Sequence, residues 1–175
     1  MGKNNMQSPK KIICCKLKDT AKLMESQSGG AFTAIAMAFL ECDGVVYGCG
    51  MSESNQAIYK RIDCIENLEE IKGSKYVQAK LENTYANIEE DLNSGKIVLF
   101  SGTPCYVMAV KKYFSTNKFS DSLYTVDLIC HGVPSPKVYK SYLQYLERKM
   151  KSKIKTFIFR DKIGGVAQAH GKDNI

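Results

Sequence analysis

The feature that most constrains this chain is a continuous apolar run, Lys96 to Phe100 (K-I-V-L-F), that breaks at once into Ser101-Gly102-Thr103-Pro104-Cys105. A run of that length without polar alternation suits a strand covered on both faces. Pro104 then stands where a helix can begin, because its missing N–H costs nothing at the first helical position; that helix is predicted to reach about Phe114. A second run, Leu123 to Ile129, ends in Cys130-His131-Gly132. Pro134-Ser135-Pro136 opens a long helix whose Val138, Tyr142, Tyr145 and Leu146 share a face, and Lys155 to Arg160 reads as the last strand. Strand, helix, strand, helix, strand predicts right-handed crossovers on a mostly parallel or mixed sheet flanked by helices, an α/β fold in a single domain.

Upstream the signals are shorter. Lys11 to Leu17 reads as a short strand, and Ala31 to Leu40 as a helix whose Phe32, Ile35, Ala36, Phe39 and Leu40 form one face. Gly44 to Met51 has the β-branched and aromatic content of a strand, with Ala57 to Ile65 as its hairpin partner. A helical turn is expected over Asn67 to Ile71 with Asn67 as N-cap, and a helix from about Asn83 to Asn93 that stops at Ser94-Gly95. Residues 1–10 are expected to be a disordered tail, 11–165 the α/β domain, and 166–175 a polar tail.

Composition narrows the function. With 25 Lys and Arg against 18 Asp and Glu the chain carries +7, spread over several segments, so neither nucleic acid nor a membrane is expected as a partner. No apolar stretch approaches the roughly 20 residues needed to span a bilayer, and a soluble cytoplasmic protein is expected. Seven cysteines without a C-x-x-C pair argue against a secreted disulfide framework.

In parallel sheets ligands bind outside the carboxyl ends of the strands. Cys105 and Cys130 close two successive predicted strands there, with His131 beside the second. Cys105 in a first helical turn would feel the positive end of the helix dipole, which favours thiolate; a buried structural thiol is the alternative, as a hydrogen-bonded structural His131 is for C-H-G. A thiol enzyme with Cys105 as nucleophile and His131 as base also stays open. Ser28-Gly29-Gly30 before a helix suits a pyrophosphate or ribityl chain, as does Ser101-Gly102-Thr103. Ser74, Lys75, Tyr76 and Gln78 supply a hydroxyl, a cation, a stackable ring and an amide; a solvated loop is the alternative. Arg160-Asp161-Lys162 could clamp an anion or form a charged surface turn.

In order, S-G-G-A-F-T-A (28–34), G-V-V-Y-G (44–48), K-G-S-K-Y-V-Q (72–78), L-F-S-G-T-P-C (99–105), V-D-L-I-C-H-G-V-P-S (126–135) and F-R-D-K (159–162) resemble the coenzyme F420 hydrogenase/dehydrogenase beta-subunit family, over about Lys11 to Gly165. The resemblance implies a flavoprotein module that holds FAD beside an iron-sulfur (4Fe-4S) cluster and exchanges electrons with coenzyme F420 or another acceptor. It implies Ser28, Gly29, Gly30, Ser74, Lys75, Tyr76 and Gln78 as flavin-side residues and Cys105 and Cys130 as cluster ligands. A redox partner or second subunit is implied as well, and a homo-oligomer is an open expectation. The family's N-terminal ferredoxin-like cysteines and distal cysteine region have no counterpart here, so a truncated member is expected. Tyr106 stands where the family usually carries Gln. A cofactor-free interaction domain that kept the fold is the remaining alternative.

Overall fold

The computed structural model describes residues 9–115, 119, 121–160 and 168–171. Chain order is α1 (Thr20–Glu25), α2 (Ala31–Glu41), β1 (Val45–Met51), β2 (Ala57–Ile62), a 3-10 helix (Ile65–Ile71), α3 (Thr84–Asn93), β3 (Val98–Gly102), α4 (Pro104–Tyr113), β4 (Leu123–Asp127), α5 (Pro136–Met150), β5 (Ile154–Ile158) and β6 (Gln168–Gly171). Four strands form a mixed sheet in the order β2-β1-β3-β4. β1 pairs antiparallel with β2 through a hairpin and parallel with β3, and β3 pairs parallel with β4.

Alternation along β1 and β3 separates two cores. Val45, Tyr47, Val98 and Phe100 point toward Ile88 and Leu92 of α3 and Val107 and Val110 of α4. Val46 and Leu99 point the other way, onto Ala36 and Leu40 of α2 and Leu68 and Ile71 of the 3-10 helix. Both central strands are thus covered on both faces, as K-I-V-L-F predicts. Gly44 turns α2 into β1: a Cβ there would lie 2.7 Å from the Phe39 carbonyl oxygen.

Four expectations give way. Lys11 to Leu17 is not a strand; the segment is largely exposed, and Leu17 N–H donates to the Gly29 carbonyl at 2.9 Å. β4 is an edge strand of alternating partial burial, ending at Asp127 with Ile129 94% exposed beyond it. An apolar run of this length therefore marks a strand, and its neighbours decide whether it is covered. α5 buries Tyr139 and packs Leu143 and Leu146, whereas Val138, Tyr142 and Tyr145 face solvent. β5 leaves the main sheet and pairs antiparallel with β6, so part of the expected polar tail forms a strand. This hairpin joins Tyr139, Ala57 and Val77 in a third apolar cluster. Residues 1–8, expected as a disordered tail, lie outside the described residues.

A polar network ties β1, β2 and α3 together. Asp91, 7% exposed, accepts from Tyr47 Oη at 2.5 Å and from Arg61 through Nε at 2.9 Å and Nη2 at 2.8 Å. Burial alone would raise the Asp91 pKa, but the Arg61 and Tyr47 hydrogen bonds outweigh it and hold the carboxyl below its ordinary value. Burial and Asp91 push the Tyr47 phenol up, so it remains a donor. Asp91→Ala, which leaves the buried Tyr47 hydroxyl without its acceptor and the Arg61 guanidinium with Asp63 alone, should cost roughly 2 kcal/mol in denaturant unfolding. A depressed carboxyl contributes stability above its unfolded value that is lost as pH falls through the folded one. The wild type should therefore lose stability below about pH 4, and Asp91→Ala should flatten that loss; an equally steep loss in the variant would remove Asp91 as its source.

Candidate functional site

Topology sets the address. α2 turns directly into β1, and α4 follows β3, so the amino ends of both helices lie at the carboxyl end of the parallel strands. The loop preceding α3 and the β4–α5 connection reach the same end, because the predicted motifs are stitched together there. Gln78 N–H donates to the Pro134 carbonyl at 3.2 Å, and Tyr106 Oη donates to the Ala79 carbonyl at 2.5 Å. Tyr76 meets Phe159 edge-on with ring centroids 6.2 Å apart. Four motifs far apart in sequence thus share one surface.

Behind it lies a half-buried group of titratable side chains. Tyr59 of β2 stacks on Phe100 of β3 at 4.9 Å and packs against Tyr106 at 5.3 Å. Burial raises the Tyr59 phenol, and Cys49, Tyr106 and Cys105 add to the rise. Burial likewise raises the Cys49 thiol against the opposing influence of Lys75. Lys75, whose Nζ donates to the Lys72 carbonyl at 2.6 Å, is brought down to about 8 by burial, partly countered by Cys49 and Glu69. Near neutrality this lysine carries its charge, yet one unit of alkalinity begins to remove it.

The other predicted residues divide. Cys105, Cys130 and His131 are exposed, as are Ser28, Tyr76 and Gln78. The Cys105 sulfur lies 3.2 Å from Thr103 Oγ1, and the Cys130 sulfur accepts from Gly132 N–H at 3.3 Å, so each thiol is oriented by its own turn. The buried structural thiol weighed for Cys105 is not what forms. Ser74 and Thr103 are half-buried, while Ser101 and Gly102 are buried. Gly29 and Gly30 answer to the chain's own packing: a Cβ at Gly29 would lie 2.6 Å from the Cys15 carbonyl oxygen, and one at Gly30 would strike Leu17. Gly102 is crowded in the same way by Tyr59. Gln27 Nε2 donates to the Arg160 carbonyl at 3.2 Å, which brings the α1–α2 turn to the end of β5. Asp161 and Lys162, the rest of the expected anion clamp, lie outside the described residues.

Sequence reasoning does not find Cys49, Tyr59 or the packing role of Tyr106. The one available signal is alternation: Cys49 sits two residues after Tyr47 and so faces the α3–α4 side. Among the described residues no three of His, Cys, Asp and Glu are grouped so as to hold a metal ion. No helix among them is long and apolar enough to cross a membrane.

Known proteins share this arrangement of elements. No curated protein matches the chain. A chain of the F420-reducing NiFe hydrogenase complex from Methanosarcina barkeri superposes with a TM-score of 0.60 at 21% identity, covering 91% of this chain and 56% of that one. The likeness establishes a shared fold, and this chain spans little more than half the length of the other. Residues 95–174 match the family model that describes the C terminus of the coenzyme F420 hydrogenase/dehydrogenase beta subunit. That match runs beyond F-R-D-K into the expected tail, where β6 lies. From β3 to the end of β6 the chain is thus similar to the C-terminal part of the coenzyme F420 hydrogenase/dehydrogenase beta subunit.

Proposed function

We propose that this chain is the flavin-holding part of an electron-transfer oxidoreductase that works with other subunits, with coenzyme F420 or a similar acceptor as substrate. The observation that carries the reading is the convergence of the 72–80 loop, the β3–α4 turn and the β4–α5 connection on one rim, through Tyr106 to Ala79, Gln78 to Pro134 and Tyr76 to Phe159. The hydrogenase complex whose chain shares this fold is itself a multi-subunit assembly, which supports the expectation of partners.

The donor set fits FAD. Two helix amino-termini, those of α2 and α4, present N–H groups suited to a pyrophosphate. Lys75 supplies a cation, Tyr76 a half-exposed ring for stacking, and Ser74, Gln78 and Thr103 hydrogen-bonding groups. Ser28, Gly29 and Gly30 contribute through the α2 terminus, and Ser101 and Gly102 shape the turn that aims α4. When bound, FAD supplies hydride acceptance and single-electron release, while the chain supplies position and field. Lys75 holds its proton at Nζ near neutral pH and stabilises negative charge placed on the rim.

The cluster fits less well. A four-iron cluster takes about four thiolates, and the described residues offer Cys105 and Cys130 without a third ligand grouped beside them. In this reading the two exposed thiols are a partial ligand set, completed from outside the described residues, and His131 is a neighbouring proton-carrying or hydrogen-bonding group.

Titration of the chain with FAD, followed by flavin fluorescence, tests the flavin site directly. Tyr76→Ala and Lys75→Ala should each weaken binding by about tenfold, the loss of one stacking or charge-assisted contact; a chain that takes no flavin overturns the proposal. In the free protein, acylation of Lys75 should rise with a midpoint near pH 8. Bound FAD should move that midpoint upward, because an adjacent anion favours the ammonium form; no movement would place the cofactor's charge elsewhere. In an assembly that binds iron, Cys105→Ser and Cys130→Ser should each cut the iron content by about half or more. Unchanged iron in both removes them as ligands.

A further inference from the structure

Lys and Arg are spread over several segments of the chain, and one segment in which they far outnumber the acids is a helix with an exposed face. Between Pro136 and Lys155, the span of α5 and the start of β5, there are seven Lys and Arg against one acid, Glu147, a local surplus of six. All seven cations are exposed. Glu147 is turned inward on its own segment, accepting from Lys153 Nζ at 3.0 Å and from Ile154 N–H at 3.2 Å. Some of this charge has an internal explanation, because Arg148 and Lys149 in the last turn complement the helix dipole. Lys137 and Lys140 do not. Lys137 stands in the first turn, at the positive end of α5, where no acid offsets it, and there it weakens the helix; Lys140 follows one turn on.

Beside this basic stripe runs an apolar one. Val138, Tyr142 and Tyr145, spaced i, i+4 and i+7, are 59%, 47% and 51% exposed, while the inward face of the helix is carried by Tyr139, Leu143 and Leu146. Exposed tyrosines within a charged surround have the composition of a protein–protein contact, with aromatic anchors and a polar rim. Helices that lie on membranes present Leu, Phe or Trp on their apolar face, which this one does not. At the carboxyl end of α5 a cleft of about 500 Å³ lined by Glu147, Arg148, Lys151 and Lys153 offers a concave basic seat. Ser135, the N-cap of α5, follows the Cys130–Pro134 segment directly, so the helix grows out of the candidate redox rim.

We infer that the Val138–Tyr142–Tyr145 face of α5, with its lysine flank, docks the carboxylate-rich face of a redox partner protein. The inference deepens the proposed electron-transfer function and rests on it. Lys137, Lys140 and Arg148 steer an acidic surface toward the helix, and the two tyrosines supply the contact that holds it. The cost of cations at the amino end of α5 is offset when a carboxylate meets them.

The test measures binding of the full chain, by surface plasmon resonance at low and high salt, to three probes: an acidic ferredoxin, duplex DNA and phosphatidylserine vesicles. The ferredoxin should bind most tightly, and salt should weaken it. Reversal of three charges (Lys137→Glu, Lys140→Glu, Arg148→Glu) should cut affinity by about tenfold or more, mainly in the association rate. Tyr145→Ala alone, and together with Tyr142→Ala, should act mainly on the dissociation rate. All five positions are exposed, and unchanged melting of the variants excludes misfolding. Absent ferredoxin binding, binding indifferent to every variant, or tighter binding of DNA or vesicles overturns the inference. FAD titration of the same samples separates the two readings. A chain that docks with this variant dependence yet takes no flavin keeps the surface and overturns the flavin site; one that takes flavin but docks nothing does the reverse.

Discussion

Parallel pairing of β1 with β3 is the constraint on which the rest of the molecule depends. The register Val45 with Val98, Val46 with Leu99 and Tyr47 with Phe100 aligns the two most buried strands so that their alternating side chains feed two separate cores. Parallel strands need a crossover, and the crossover has to be covered. The hairpin strand β2 occupies the far edge of β1, and the 3-10 helix and α3 follow it to opposite faces. Once these are in place, the carboxyl ends of β1, β3 and β4 open at one side, and the helices that precede β1 and follow β3 bring their amino ends there.

Within that frame Tyr106 has an outsized local role. It sits one residue after Cys105, packs on Tyr59, and donates to the Ala79 carbonyl, so it fastens the 72–80 loop to the start of α4. The resemblance read from the sequence leads one to expect Gln at this position. A phenol reaches farther than an amide and brings a ring to the Tyr59–Phe100 stack, so the loop is anchored by packing as well as by a hydrogen bond. Lys75 is held in the same region by the Lys72 carbonyl and lies close enough to Cys49 for each to shift the other's titration. The charged and soft groups of the rim therefore rest on a rigid aromatic support.

The central sheet is legible in the sequence because its signals are local. K-I-V-L-F, the Pro104 helix start, the G-V-V-Y-G strand with its hairpin partner, and the Ser94-Gly95 stop each reflect backbone chemistry within a few residues, and all recur in the structure. What escapes depends on partners distant in sequence. Leu123 to Ile129 is apolar enough to be central, but among the described residues no strand pairs with its outer edge. Lys11 to Leu17 has strand-like residues and finds only the Gly29 carbonyl. On α5, periodicity yields two adjacent apolar stripes, and only contact with Phe157 and Ile154 decides that Tyr139 rather than Val138 turns inward. The convergence of the rim is readable only as motif order, because the hydrogen bonds that create it join residues 27 to 56 positions apart. Cys49 carries only its alternation with Tyr47 as a local signal, since its neighbours, Lys75 and Tyr106, are equally remote.

The thiols of Cys49, Cys105 and Cys130 show why burial, rather than residue type, sorts their roles. Cys49 lies half-buried behind aromatic rings, and its burial favours the neutral thiol, the form that neither ligates metal nor attacks an electrophile. Cys105 and Cys130 sit in turns at the ends of parallel neighbours, exposed, each sulfur aligned by a single contact within its own loop. A sulfur held this way is accessible to a ligand that approaches from outside and is not committed to the core. The sheet thus carries its inert thiol on the inside of the rim and its available ones on the outside.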